Sequence, residues 1–193
     1  MMLGGLAVSQ ALLVGTPMSR TTRVAAPQMA DIMETAAGLT GPVVFWGADG
    51  VALGHEESDV RGSDDFGTFV AAVAAAGLTD ALKGPGPFTV LMPTDAAFAE
   101  FKGELTADLL KYHVIPGKVA TGSVGADLET LQGSSLTYRR YVRKTFLDNA
   151  IIGVTSAGAS KGQNYPVDVA CDNGVIHAID IVLEPGTFSV ANL

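Results

Sequence analysis

The sequence predicts an α+β domain in which short helices come first and a meandering β-sheet follows. Apolar residues recur at helical spacing between about residues 62 and 112. From about residue 134 onward, β-branched runs alternate with Gly, Asn and Asp, which are common turn residues. The composition indicates a packed core, because 48% of the 193 residues are hydrophobic and 17% are charged.

The elements are predicted in order along the chain. The predicted helices are 32–37, 66–77, 78–84, 94–101 and 106–115, and the last runs into a strand near Pro116. The predicted N-caps are Asp31 for the first helix, Asp64 or Asp65 for the second, and Thr94 or Asp95 for the fourth. Gly38 and Gly77 are predicted to end the first and second helices. The predicted strands are 88–92 ended by Pro93, 134–147, 150–158, 165–171 and 174–183, with turns at Asn149 and Asn173–Gly174.

The first 30 residues differ from the rest in composition. Residues 1–30 contain Arg20, Arg23 and no acidic residue, and they are rich in Ala and hydroxylated side chains. This composition is typical of an organelle-targeting segment. The string RVAAPQMA at residues 23–30 resembles the ends of plastid transit peptides of algae. We expect residues 1–30 to be a plastid-targeting segment, and an uncleaved N-terminus without that role is the alternative.

Residues 31–61 are predicted to be an apolar and acidic extension. Its apolar patch consists of Val43, Val44, Phe45 and Trp46. Such a patch either packs on the domain or serves as a docking peptide for a partner. Residues 41–53 resemble the stretch before the first membrane helix of algal light-harvesting proteins, although no Pro follows Trp46 and no membrane helix comes after it.

Four of the twelve Lys and Arg residues lie in YRRYVRK, residues 138–144. They are Arg139, Arg140, Arg143 and Lys144. Aromatic residues among cations are a feature of single-stranded nucleic acid sites, but the net charge of −8 disfavours nucleic acid as a partner. The charges can instead protect an edge strand from aggregation, or they can dock an acidic partner. Both interpretations stay open.

No catalytic or cofactor motif is present in the sequence. It has no G-x-S-x-G nucleophile elbow, no P-loop and no dinucleotide-binding glycine pattern. His55, His113 and His177 are far apart, and with Cys171 they show no metal-ligand spacing. We expect His113 and His177 to be hydrogen-bonded core residues and Cys171 to be buried. The prediction is therefore no enzyme, no metal and no cofactor.

Three segments, in this order, resemble motifs of the fasciclin (FAS1) family. They are GPFTVLMPTDAAF at 86–98, LLKYHVIPGKV at 109–119 and DNGVIHAIDIVLEP at 172–185. The first has Met92 where the family usually has Ala, and the second carries the family's Tyr-His pair at Tyr112 and His113. The resemblance covers about residues 62–186 and leaves 187–193 as a tail. It implies the FAS1-like fold, with short N-terminal helices packed on a wedge of meandering β-sheet.

The resemblance implies adhesion or protein–protein contact rather than catalysis. In animal extracellular members the Tyr-His segment is implicated in integrin binding, so Tyr112 and His113 are candidate contact residues. Residues 99–111 form a shorter segment than the family usually shows. Within such a fold, Phe98 is expected to enter the core and Asp180 to be a hydrogen-bonded buried acid.

The leading functional hypothesis is a non-catalytic binding or structural subunit of a thylakoid photosystem or light-harvesting assembly in the plastid. Contact with the membrane would be only through its partners. The expected contact residues are those of the apolar patch and of the basic strip, which consists of Arg139, Arg140, Arg143 and Lys144. The alternative is a secreted or surface cell-adhesion protein that uses Tyr112 and His113. A third hypothesis is a pigment binder with His113 or His55 as the ligand.

Overall fold

The computed structural model describes residues 30–45, 60–154 and 164–187, and it confirms the α+β class. The helices of the described residues are α1 (Ile32–Gly38), α2 (Gly67–Ala75), α3 (Thr79–Leu82), α4 (Asp95–Glu100) and α5 (Ala107–Tyr112). The predicted targeting segment up to residue 29, Trp46 and the tail from residue 188 lie outside the described residues.

The strands form a central sheet, a three-stranded sheet and two ribbons within the described residues. The central sheet has the order β10 (Val169–Cys171), β11 (Gly174–Ile179), β3 (Phe88–Pro93) and β4 (Val114–Pro116). The three-stranded sheet has the order β7 (Tyr138–Tyr141), β8 (Lys144–Leu147) and β9 (Ala150–Ile151). The ribbons are β1 (Val43–Phe45) with β2 (Val60–Ser63), and β5 (Leu128–Glu129) with β6 (Ser135–Leu136).

The parallel pair β3 and β11 forms the centre of the domain. Val90 and Ile176 lie side by side in this pair and pack with Phe69 in the cluster beneath the helices. Leu91 and Ile179 contribute to a second cluster on the opposite face, which the smaller strands cover. Because both faces are covered, the two strands are apolar almost throughout, as is usual for buried parallel strands.

Helix α1 packs in the core although it precedes the main predicted domain. Asp31 accepts a hydrogen bond from a first-turn N–H at 2.8 Å and caps the helix as predicted. Ile32 and Ala36 are buried in the cluster beneath the helices. The folded core therefore includes residues that the sequence assigned to the extension.

The apolar patch takes part in the ribbon of β1 and β2. Val43–Phe45 pair antiparallel with β2. Just before the patch, the Pro42 carbonyl accepts from the Asp64 N–H at 3.2 Å, and the Gly41 N–H donates to the Asp65 carboxylate at 3.1 Å. The backbone of residues 43–45 is thus held against the start of the domain.

The N-termini of α2 and α4 exchange capping carboxylates. The sequence predicts Asp64 or Asp65 as the N-cap of α2. This prediction is wrong, because the N-cap residue is Phe66, whose side chain makes no capping hydrogen bond. Asp95 of α4 instead accepts from the Thr68 N–H at 2.8 Å, and Asp64 accepts from the Ala96 N–H at 2.9 Å. Each carboxylate therefore stabilises the N-terminus of the other helix.

Two local end signals are confirmed. Thr94 caps α4 by accepting from the Ala97 N–H at 3.1 Å. Gly77 ends α2 with a φ of 68°, and the next N–H, that of Leu78, donates back to the Val73 carbonyl at 3.1 Å. This is the glycine-terminated helix end known as the Schellman motif.

Residues 134–147 are not one strand, as the sequence predicts. Strands β7 and β8 pair antiparallel with Tyr141 opposite Lys144, and the chain reverses at Val142 and Arg143. The φ angles of these two turn residues are 55° and 135°, values that residues other than Gly rarely adopt. The sequence does not indicate this reversal, because Val142-Arg143 stands where a two-residue turn usually has Asn-Gly.

Asn173 connects three parts of the domain. The predicted turn is displaced by one residue, since Cys171 pairs with Gly174 and Asn173 is the second residue of the turn. The Asn173 side chain accepts from the Ile32 N–H at 3.0 Å, and its amide donates to the Leu82 carbonyl at 2.6 Å. It also donates to the carbonyl of residue 84 at 3.0 Å. The turn thus joins the start of α1 to the end of α3.

Removing this side chain should lower the free energy of unfolding. We expect Asn173→Ala to cost about 2 to 4 kcal/mol, because it leaves several partly buried backbone groups without partners. Chemical denaturation measures the effect. The matched control, Asn149→Ala at an exposed turn, should change stability by no more than about 0.5 kcal/mol. Equal effects of the two substitutions would contradict the role given to Asn173.

Candidate functional site

Tyr112 lies in the core with its hydroxyl on a carboxylate. The side chain is 2% exposed, and its hydroxyl donates to Asp148 at 2.6 Å. The same carboxylate accepts from the Thr137 N–H at 2.7 Å. Burial and the hydrogen bond to Asp148 raise the pKa of Tyr112. Tyr112 is therefore a neutral donor that fixes α5 against the strands after β6.

His113 links the end of α5 to the last segment of the domain. Its Nδ1 lies 2.8 Å from the Leu109 carbonyl, and its Nε2 accepts from the Leu183 N–H at 3.0 Å. These partners assign the proton to Nδ1. Burial lowers the pKa of His113 to about 4, which outweighs the opposing effect of the Leu109 carbonyl. The predicted core role is confirmed.

His177 has a similar structural role in β11. Its Nδ1 accepts from the Asp168 N–H at 3.0 Å, and its Nε2 lies 2.7 Å from the Val119 carbonyl. Burial lowers the pKa of His177 against the smaller opposing effects of Val119 and Asp168. Both ring nitrogens thus hold loops against the central sheet, as expected for a core histidine.

The Tyr-His pair is closed to partners in this structure. Tyr112 and His113 are 2% and 1% exposed, and both side chains bind groups of the same domain. The sequence resemblance makes these two residues candidates for contact with a receptor. Such a contact would require the core to open, so the accessible candidate surface lies elsewhere.

The cations of the basic strip lie on the hairpin formed by β7 and β8, residues 138–147, which we call the basic hairpin. Arg139 is anchored on one face of it. Its guanidinium carbon lies 5.7 Å from the centre of the Phe146 ring, and it donates to the Asp148 carbonyl at 2.7 Å. Arg139 is therefore a fixed, half-buried charge rather than a free surface cation.

The tip of the basic hairpin is exposed. Its exposed residues are Arg140, Tyr141, Val142, Arg143 and Lys144. Tyr141 and Val142 expose 73% and 75% of their surface. An exposed aromatic residue beside arginines is typical of protein interfaces. Backbone strain such as that at the two turn residues is also concentrated at functional surfaces.

The sequence predicts the cations of this tip as contact residues but not Tyr141 and Val142. It predicts both of these within one continuous strand, in which alternate side chains would be covered. The available signal was their position between two pairs of cations in an acidic chain. Of the apolar patch, the structure describes the backbone of Val43–Phe45, and this backbone pairs with β2.

In the part of the chain that the structure describes, no three His, Cys, Asp or Glu side chains are placed to hold a metal ion, and no helix has the length and apolarity needed to cross a membrane. Cys171 is buried, and Asp180 accepts from the Ile151 N–H at 2.6 Å, as predicted. Phe98 is half-buried against the core. His55 lies outside the described residues.

Comparison with known proteins decides the family. The fasciclin domain model matches residues 64–185, which include α2 and all elements to the end of β11. The chain belongs to the fasciclin domain family. The resemblance inferred from the three motifs is confirmed, and fasciclin domains are non-enzymatic modules for adhesion and protein binding.

The chain is similar to bacterial and animal proteins. Protein sll1483 of Synechocystis sp. is 36% identical over 138 residues, which cover 64% of this chain and 69% of the relative. Uncharacterized protein sll1735 of the same organism is 34% identical over 142 residues, which cover 66% of this chain and 96% of the relative. Transforming growth factor-beta-induced protein ig-h3 of Sus scrofa is 32% identical over 138 residues, which cover 65% of this chain and 18% of the relative.

His113 should make the domain less stable in mild acid. Its pKa is 6.5 in water and about 4 in the fold, so the unfolded chain binds more protons between these values. Stability is then lost as pH falls from about 6.5 to about 4, by roughly 3 kcal/mol for this residue. Denaturation at several pH values should show a smaller loss for His113→Asn, which keeps a donor for the Leu109 carbonyl but does not titrate. Identical pH profiles for the two proteins would contradict the assignment.

Proposed function

We propose that this fasciclin-domain protein is a non-catalytic docking subunit that binds an acidic protein partner through the tip of the basic hairpin. The exposure of Tyr141 and Val142 among Arg140, Arg143 and Lys144 carries the proposal. Tyr141 ends β7 and Val142 is the first residue of the strained turn, and because both side chains are exposed they bury little apolar surface in the isolated fold. Covered by a partner, they would provide the apolar centre of an interface with charges around it.

Charge supports an acidic partner. The chain has a net charge of −8, while residues 138–144 carry four cations and no acid. A local patch of the opposite sign orients a protein as it approaches a complementary surface and speeds association. The anchored Arg139 keeps one of these charges in place beside the tip.

We further propose that the partner belongs to a photosystem or light-harvesting assembly of the plastid thylakoid. The acid-free composition of residues 1–30 and the likeness of residues 41–53 to light-harvesting proteins support this location. The apolar patch, Val43–Phe45 with Trp46, is the proposed second contact. Val43–Phe45 form β1 of the ribbon with β2, so this contact would be a second surface apart from the hairpin.

Purification of a tagged full-length chain from fractionated cells tests the docking surface. We expect Tyr141→Ala and Arg143→Glu each to reduce the recovery of the partner about tenfold, because the first removes an aromatic contact of the apolar centre and the second reverses a charge that faces the acidic partner. Lys83→Glu, an exposed cation remote in sequence from the hairpin, should leave recovery unchanged. Thermal melting of all three variants should match the parent chain.

The same experiment separates the proposed surface from the proposed location. Equal recovery of the partner with all three variants would contradict docking through the hairpin. Loss of binding through Trp46→Ala alone would assign the contact to the apolar patch. Recovery of a hairpin-dependent partner outside the cell would keep the docking surface and overturn the thylakoid location in favour of an adhesion protein.

A further inference from the structure

A cleft of about 310 Å³ borders one face of the basic hairpin. It lies between the hairpin, the loop at Thr121–Gly122 and the segment Ile152–Val154. Arg140, Arg143 and Lys144 line it from the hairpin side. We call this space the cationic cleft. It lies on the opposite side of the hairpin sheet from the ring of Phe146, because Arg140 and Thr145 pair on the other face of β7 and β8.

The charge around the cleft is positive but moderated. Thr121 on the far wall donates its N–H to Asp168 at 2.9 Å, and its hydroxyl binds the same carboxylate. Burial raises the pKa of Asp168, but the Thr121 hydrogen bonds and the nearby His177 together lower it by more, so the net pKa is below its ordinary value. Asp168 is therefore ionised at neutral pH. Among the described residues, the three cations that border the cleft therefore outnumber the one nearby carboxylate.

One wall of the cleft is aliphatic and firmly held. It consists of Ile152, Val154 and Val167. Gly153 has a φ of 74°, and a Cβ there would lie 2.5 Å from Val167 Cγ1, so a larger residue does not fit. The Gly153 N–H donates to the Ala178 carbonyl of β11 at 2.8 Å. This wall is therefore tied to the central sheet and is formed before any partner arrives.

From this juxtaposition we infer that the cationic cleft receives an acidic-aliphatic segment of the protein partner. An Asp or Glu carboxylate would lie between Arg140 and Arg143, and a neighbouring aliphatic side chain would pack on the Ile152–Val154 wall. Guanidinium groups pair well with carboxylates. A phosphate dianion fits less well, because Asp168 repels its second charge. The inference rests on the proposed docking function and adds the chemistry of the partner.

Nuclear magnetic resonance of the ¹⁵N-labelled full-length chain tests the inference. The probe is the blocked peptide acetyl-Gly-Glu-Val-Glu-Gly-amide, and its control has Gln in place of both Glu residues. We expect the Glu peptide to shift the backbone N–H signals of Gly122, Thr145 and Gly153, and to bind more weakly as salt rises, because the contacts are screened. Arg140→Glu, on the cleft face of the hairpin, should raise the Kd of the Glu peptide about tenfold, and Lys102→Glu, an exposed cation outside the cleft, should not.

Several outcomes would overturn the inference. Equal binding of the Gln peptide, shifts confined to residues outside the cleft, or displacement of the peptide by inorganic phosphate at a lower concentration would each do so. The experiment needs only purified protein, so its failure leaves the docking result in cells standing. Conversely, the purified chain can bind the peptide while the hairpin variants recover the partner from cells as well as the parent chain does. That result would overturn the docking proposal and leave the binding preference of the cleft standing.

Discussion

The close approach of Asn173 to strand β3 is the constraint on which the rest of the domain depends. The Phe88 N–H donates to the Asn173 carbonyl at 2.9 Å, and at this junction a Cβ on Gly86 would lie 2.1 Å from that carbonyl oxygen. A Cβ on Gly174 would lie 2.0 Å from the Phe88 carbonyl oxygen. Only glycine fits at both positions. Because the Asn173 side chain also holds the Ile32 N–H, one turn sets the position of α1, α3 and the parallel pair of strands.

The polar residues of the family motifs serve this fold from inside. Tyr112 binds Asp148, and the rings of His113 and His177 bind backbone groups of segments distant in sequence. A buried polar group destabilises the fold unless it is hydrogen-bonded, and all three of these side chains are hydrogen-bonded. Their chemistry is thus used in holding helices and loops on the central sheet. The basic hairpin differs, because the large and charged side chains at its tip are exposed. These side chains can contact a partner without any opening of the core.

Much of the fold could be predicted because its signals are local. The caps Asp31 and Thr94 and the stop Gly77 act within four residues, and the sequence shows them directly. The exchange between Asp64 and Asp95 could not be predicted, because each carboxylate caps a helix about thirty residues away in sequence. The site followed the same rule. Its cations were visible in the sequence, whereas the reversal at residues 142–143 and the cleft behind it depend on strand pairing that has no local signal.

The most direct test of recognition at the hairpin is lysine cross-linking in intact cells, read by mass spectrometry. Lys144 lies at the exposed tip, whereas Lys111 lies beside Tyr112 and His113 and is 40% exposed. Both amines can react, so they report on the two competing surfaces of one chain. Recognition through the hairpin predicts that links to other proteins form at Lys144 and are few at Lys111. Links concentrated at Lys111, with Lys144 joined to no other protein, would contradict it.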